Sequence, residues 1–227
     1  MKIFIVCCVF LIFNIEPDKK ERFNIKSEYK LILYCIFFSG TTVCEKYIGR
    51  RRAVPVLYLQ GSHYEVGFDV AVLGHTEDAF SETLNHFYIM SAHIIPTDED
   101  KERGAIEERF ASLCYAGHLP GYTMGYNENG LVFSINTLSP LVLKPGNTPR
   151  TFITRALLAS KSYADAERIL RDEGLGIANG FSINMIWTNK DGERKIYNAE
   201  VAPDLKGDRS IINIHNYVDE PLVHTNM

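Results

Sequence analysis

The stretch "NMIWTNKDGERKIYNAEVA", residues 184–202, decides the fold. Two runs mixing apolar and polar residues in alternation flank Asp191-Gly192. Period two sends successive side chains to opposite faces of a strand. An Asx-Gly pair takes the positive φ angles that tight hairpin turns need. The stretch is therefore expected to be a β-hairpin, the unit of an antiparallel sheet. Upstream, "YNENGLVFSINTL" (126–138) sets Asn129-Gly130 ahead of a β-rich run and predicts a second hairpin.

Two helices are expected between the hairpins. "TPRTFITRALLAS" (148–160) offers Thr148 as N-cap and Pro149 at the first helical position, with Ile153, Ala156 and Leu157 on one face. "SYADAERILRDEG" (162–174) offers Ser162 as N-cap, with Asp165 three residues on, and stops at Gly174. Its buried stripe is Ala166, Ile169 and Leu170. Further upstream, 53–59, 83–95 and 109–117 read as strands, 63–70 is ambiguous, and the charged run 98–108 reads as an exposed turn or loop. Strands, then two consecutive helices, then strands give an α+β fold with mainly antiparallel sheets.

The chain has 227 residues, is 46% hydrophobic and carries a net charge of -4. That suffices for one domain with a core, and it argues against nucleic acid as partner. The basic run Arg50-Arg51-Arg52 suits a solvated loop. Cysteines stand at 7, 8, 35, 44 and 114, with no CxxC spacing, so neither a zinc ribbon nor a redox motif is indicated. Residues 1–43 differ in composition from the rest. Residues 3–13, "IFIVCCVFLIF", have the length of a signal-peptide apolar region and are too short for a membrane span. Three readings stay open for this segment: a signal peptide, a membrane-proximal anchor, or sequence foreign to the mature protein. The compartment is open with it, cytoplasmic unless residues 1–15 direct secretion.

The densest chemistry lies in "FDVAVLGHTEDA" (68–79), where His75, Thr76, Glu77 and Asp78 follow an apolar run. A carboxylate there can orient an amine or accept a proton, and a solvated polar turn fits the same letters. His75, His86, His93 and His118 lack zinc-ligand spacing, so no metal and no cofactor is expected. No G-x-S-x-G, GxGxxG or P-loop motif occurs.

Taken in order, "VPVLYLQGSHYEVGFD" (54–69), "VLGHTEDA" (72–79), "SLCYAGHLPGYTMGYNENGLVFSINTL" (112–138), "PRTFITRALL" (149–158) and "VHTN" (223–226) resemble the acyl-coenzyme A:6-aminopenicillanate acyltransferase-like N-terminal-nucleophile hydrolases. The run from "GHTEDA" to "SLCYAGHLPGYTM" is similar to the insect branch that cleaves N-β-alanyl-dopamine. The resemblance implies a four-layer αββα sandwich over residues 44–227. It also implies amide hydrolysis or acyl transfer on small N-acylated amines, by a Cys freed at a new N-terminus through self-cleavage. It carries Asp78 over as the residue that orients the nucleophile and its amine, and Asn226 as an oxyanion-hole donor. Gly61, Glu65 and Gly67 match an opening signature with a structural role.

The sequence departs from that family where the nucleophile belongs. A Gly-Cys-[Thr/Ser]-[Thr/Ser] step should stand shortly before "GHTED", yet no cysteine lies between Cys44 and Cys114. Gly40-Thr41-Thr42 lacks the Cys and lies on the wrong side of the opening signature. An internal deletion at 70/71 is expected, with Phe68-Asp69-Val70 ending an earlier helix, and the family's later strands and a pocket Arg are expected beyond Met227. The chain as written is then expected to have no nucleophile and no turnover. The alternative is a non-enzymatic paralogue that binds amines or pairs with a full-length subunit, and a homo-oligomer is compatible with either.

Overall fold

The computed structural model describes residues 5–14, 38–39, 58–62, 69–79, 83, 86–188, 194–217 and 224. Two units divide the chain, one drawn from residues 1–86 and 217–227, the other from 87–216.

In the first unit β1 (Ile5–Asn14), β2 (Phe38–Ser39), β3 (Tyr58–Ser62) and β4 (Asp69–Ala79) form a four-stranded sheet in the order β2-β1-β4-β3. The apolar run near the N-terminus is thus a strand, antiparallel to β4 from Ile5 opposite Ala79 to Asn14 opposite Val70. On its other edge β4 takes β3, with Gly61 opposite Val70 and Ser62 opposite Asp69. The expectation that Asp69 and Val70 end a helix is corrected: both are strand residues on an unbroken ladder. The reason is local, since Val70 and Val72 are β-branched and set in period two, which suits a pleated surface better than a helix. Among the described residues, no helix is long and apolar enough to cross a membrane.

The second unit is a seven-stranded meander: β5 (Phe87–Ile94), β6 (Glu108–Tyr115), β7 (Met124–Asn127), β8 (Leu131–Thr137), β9 (Phe181–Thr188), β10 (Arg194–Pro203) and β11 (Ser210–Tyr217), each beside its sequence neighbour. The 184–202 hairpin is there as an antiparallel β9–β10 pair closing with Thr188 opposite Arg194. Its Asp191-Gly192 turn lies outside the described residues. The β7–β8 hairpin closes through Glu128-Asn129-Gly130, in which only Gly130 takes a positive φ, +92°. Asn127 organises the turn, its Oδ1 accepting from the backbone N–H of Asn129 (3.0 Å) and of Leu131 (3.1 Å). This is the three-residue solution, with a left-handed glycine as its last member.

The charged run expected to be loop instead contains α1 (Asp98–Glu102). Thr97 caps it reciprocally: Thr97 Oγ1 accepts from the Asp100 N–H, and the Asp100 carboxylate accepts from the Thr97 N–H. Asp does here what Glu or Gln does in the common form of that box. α2 (Arg150–Leu157) begins one residue later than expected, with Pro149 rather than Thr148 at the N-cap. Proline offers no side-chain acceptor, so the Arg150 N–H donates to Asn179 Oδ1 at 3.2 Å. Thr148 is engaged elsewhere, in a parallel bridge with Ile177. α3 (Tyr163–Arg171) starts on Ser162 as expected and ends at Asp172, held left-handed at φ 42°.

Both helices cover one face of the meander. Leu131, Phe133 and Ile135 of β8, Phe181, Ile183, Met185 and Trp187 of β9, and Tyr197, Ala199 and Val201 of β10 pack with Ile153, Leu157, Ala166 and Leu170 of the helices. Each fully buried Leu, Ile, Phe, Val or Met among them contributes on the order of 1.5–3 kcal/mol. Arg155 ties α2 to β6 through a 2.8 Å ion pair with Glu108 and lies over the Phe110 ring. Tyr163 of α3 stacks on Tyr197 of β10 at 4.1 Å. The opposite face of the central strands is buried as well, holding Met124, Val132, Ile186 and Ile196 together with Ser134, Asn136, Ser182, Asn184 and Asn198.

Candidate functional site

Asp78 is the last residue but one of β4, and its backbone stands opposite Val6 of β1. The same ladder sets Cys7 opposite Glu77, Cys8 opposite Thr76 and Val9 opposite His75. His75 is buried, 3% exposed. His75 and Asp78 are three positions apart on one strand. Gly61 stands in β3, paired with Val70. Asn226, Glu65, Gly67 and Gly40-Thr41-Thr42 lie outside the described residues.

The other imidazoles are dispersed. His86 is exposed ahead of β5. His93 Nε2 lies 2.7 Å from Glu107 Oε1, and this contact, with Arg109 beside it, holds the Glu107 carboxyl below the usual range. His118 lies against Tyr122, ring centres 4.2 Å apart. Among the described residues no group of three or more His, Cys, Asp or Glu side chains is arranged to hold a metal. An open groove of about 480 Å³ is lined by Glu173, Asp204, Lys206, Gly207, Asp208 and Arg209, a mixed-charge surface with no nucleophile.

Cys114 is fully buried in β6, and burial pushes its thiol above the ordinary value of 9.0. A nucleophilic cysteine needs thiolate character and access, so Cys114 is a core residue. The loop after it is rigidly held. Ser112 Oγ donates to the Met124 carbonyl (2.8 Å) and accepts from the Gly121 N–H (2.8 Å). Asn127 Nδ2 reaches past the sheet to the Ser160 carbonyl at 2.8 Å. These groups show why the "SLCYAGHLPGYTMGYNENG" stretch is so particular: its polar residues pin a turn and a hairpin to the end of α2.

The match of the family model for acyl-coenzyme A:6-aminopenicillanic acid acyl-transferase runs over residues 67–227. The chain belongs to this family. A Drosophila melanogaster protein named beta-alanyl-dopamine/carcinine hydrolase is 52% identical over 155 residues, 64% of this chain and 40% of that relative. The chain thus spans less than half the length of the relative it matches. Within the acyl-transferase family match fall β4 with Asp78, the whole meander with α1, α2 and α3, and the "VHTN" letters.

Sequence reasoning missed two features. One is the placement of Cys7 and Cys8 beside the "GHTED" strand, which no local pattern announces. The other is the buried polar row of β8, β9 and β10. Its signal was present, since Ser134, Asn136, Ser182, Asn184 and Asn198 recur at period two, but polar residues at that spacing read as a solvent face.

Proposed function

We propose that this chain carries the scaffold of an N-terminal-nucleophile amidohydrolase, an αββα sandwich whose reaction is cleavage of small N-acylated amines, with N-β-alanyl amines as substrate class. The observation that carries this reading is the 52% identity over 155 residues to a beta-alanyl-dopamine/carcinine hydrolase. In the family reaction a Cys thiolate attacks the amide carbonyl and a thioester forms. The C–N bond breaks, the amine leaves with the proton relayed by the α-amino group, and water then hydrolyses the thioester to the free acid. Asp78 has the role of orienting nucleophile and amine. Asn226 has that of donating an N–H to the oxyanion.

The Cys-bearing step of that machinery belongs between Val70 and Ala71, and residues 44–227 are a partial domain from which it has been lost. The chain as written is therefore inactive. Incubation of purified chain with N-β-alanyl-dopamine should release no dopamine. Turnover that disappears in Asp78→Ala would overturn the inactivity. Its loss instead in Cys7→Ser or Cys8→Ser would assign the nucleophile to β1.

A second reading is a non-catalytic amine-binding paralogue. It is favoured by the unbroken pairing of Val70 and Ala71 in β4, opposite Asn14 and Phe13. This reading expects a single cooperative thermal transition that N-β-alanyl-dopamine raises. A melt without cooperativity would dismiss it.

A further inference from the structure

β5 is an edge of the seven-stranded sheet, and no described strand pairs with its outer side. Exposed edges are ordinarily blunted by Lys, Pro, a bulge or an inward-pointing charge. The β5 sequence "FYIMSAHI" contains no Lys, Arg, Pro, Gly or carboxylate, and its eight residues pair with β6 without a bulge. Tyr88, Ile89 and Ile94 are 40–45% exposed. The other edge, β11, exposes one large apolar side chain, Ile211.

The direction of the open hydrogen-bonding groups follows from the next strand. The Arg109 carbonyl of β6 accepts from the Glu128 N–H, one step beyond the pairing of Phe110 with Asn127 of β7. A residue in an antiparallel strand turns its N–H and C=O to the same side, and neighbours alternate. Arg109 therefore faces β7, while Phe110, Ser112 and Cys114 face β5, where Ala92, Met90 and Tyr88 stand opposite them. The N–H and C=O groups of Ile89, Ser91 and His93 are thereby turned to the open edge.

We propose that this edge takes β5 of a second copy of the chain, antiparallel, with Ser91 on the two-fold axis. Outward groups must meet outward groups, so odd-numbered residues stand opposite odd-numbered ones. Centred on Ser91, Ile89 of each copy falls opposite His93 of the other. With the Ser91 pair this makes three outward pairs, each exchanging two bonds, about six hydrogen bonds in all. The same register sets exposed Tyr88 opposite exposed Ile94 on both sides of the axis. That is an aromatic–β-branched pair, of the kind that stabilises a ladder, and no rung sets like charges together. Shifting the axis to Met90 or Ala92 breaks the Tyr88–Ile94 pair. A two-fold contact uses one patch on both copies, so it closes on a dimer and does not propagate.

The test measures molar mass by light scattering over a concentration series for the full chain, as wild type, Ser91→Pro, Ile89→Lys and Ile211→Lys, with a thermal melt of each. Wild type should pass from monomer to dimer as concentration rises and stop there. Ser91→Pro removes an outward N–H and no bond to β6, a position where an edge strand tolerates proline. It should weaken association by at least about tenfold. Ile89→Lys sets a cation on each copy's edge and should do the same. Ile211→Lys, on the other edge, should leave association unchanged. If Ser91→Pro melts without cooperativity, Ile89→Lys, which leaves the backbone intact, decides. Wild type that stays monomeric at every concentration, or grows beyond a dimer, overturns the proposal. So does undiminished association in Ile89→Lys, or a loss confined to Ile211→Lys, which would move the contact to β11.

Discussion

Gly130 and Gly117 share a left-handed backbone, φ +92° and +86°, but not an environment. A Cβ on Gly130 would collide with the Thr188 carbonyl, whereas one on Gly117 would meet nothing within 4 Å. Gly117→Ala should therefore cost only the left-handed penalty, about 1 kcal/mol. Gly130→Ala should cost at least about 2 kcal/mol, since β9 must move as well. Urea unfolding of the pair separates the two terms, and equal midpoints would contradict the clash. Cys114 invites a chemical test. Buried and raised in pKa, it should resist iodoacetamide at pH 8 in the folded chain and label on unfolding, as read by peptide mass mapping. Labelling of Cys114 under native conditions would place it outside the core.

At the scale of elements, α1 is a five-residue helix held by its cap. Hydrogen bonds from the Thr97 hydroxyl and backbone N–H lower the Asp100 carboxyl below its ordinary value of 3.8. A carboxyl lowered by folding stabilises above its unfolded value and loses that contribution as pH falls through the folded one. Protection factors of the amides in 98–105 should fall below about pH 4, and Asp100→Asn should abolish that acid dependence. A variant that keeps the pH response would show that another group holds the cap. What was legible in the sequence follows the range of the forces involved. The β9–β10 hairpin and the Ser162 start of α3 rest on neighbours two or three residues apart, and both were readable. The start of α2 was misplaced because its capping oxygen comes from Asn179, distant in sequence. α1 was hidden by an Asp in the Glu position of a capping box. The polar row was unreadable because alternation cannot tell a buried second face from a wet one. Of the site, Asp78 was visible only through family resemblance, since "GHTED" alone also describes a turn.

For the molecule as a whole, the acyl-transferase family match over residues 67–227 takes in β4 and the whole meander. The Arg155–Glu108 pair with its Phe110 contact joins α2 to the sheet, and Arg155→Ala should lower global stability by about 1–3 kcal/mol in denaturant melts. An unaltered midpoint would make that junction ornamental. The meander has a further consequence, in the order of events by which the chain acquires its structure. β9 reaches β8 across residues 138–180, but β5 to β8 and β9 to β11 pair over shorter connections, so their hairpins can form one at a time, and contacts between near neighbours in sequence form fastest. β1 must instead wait for β4 across residues 15–69. Closing that loop costs about 2–3 kcal/mol more entropy than closing the three-residue β7–β8 turn. Refolding should accordingly show two kinetic phases, a fast one reported by Trp187 in β9 and a slower one for the β1–β4 ladder.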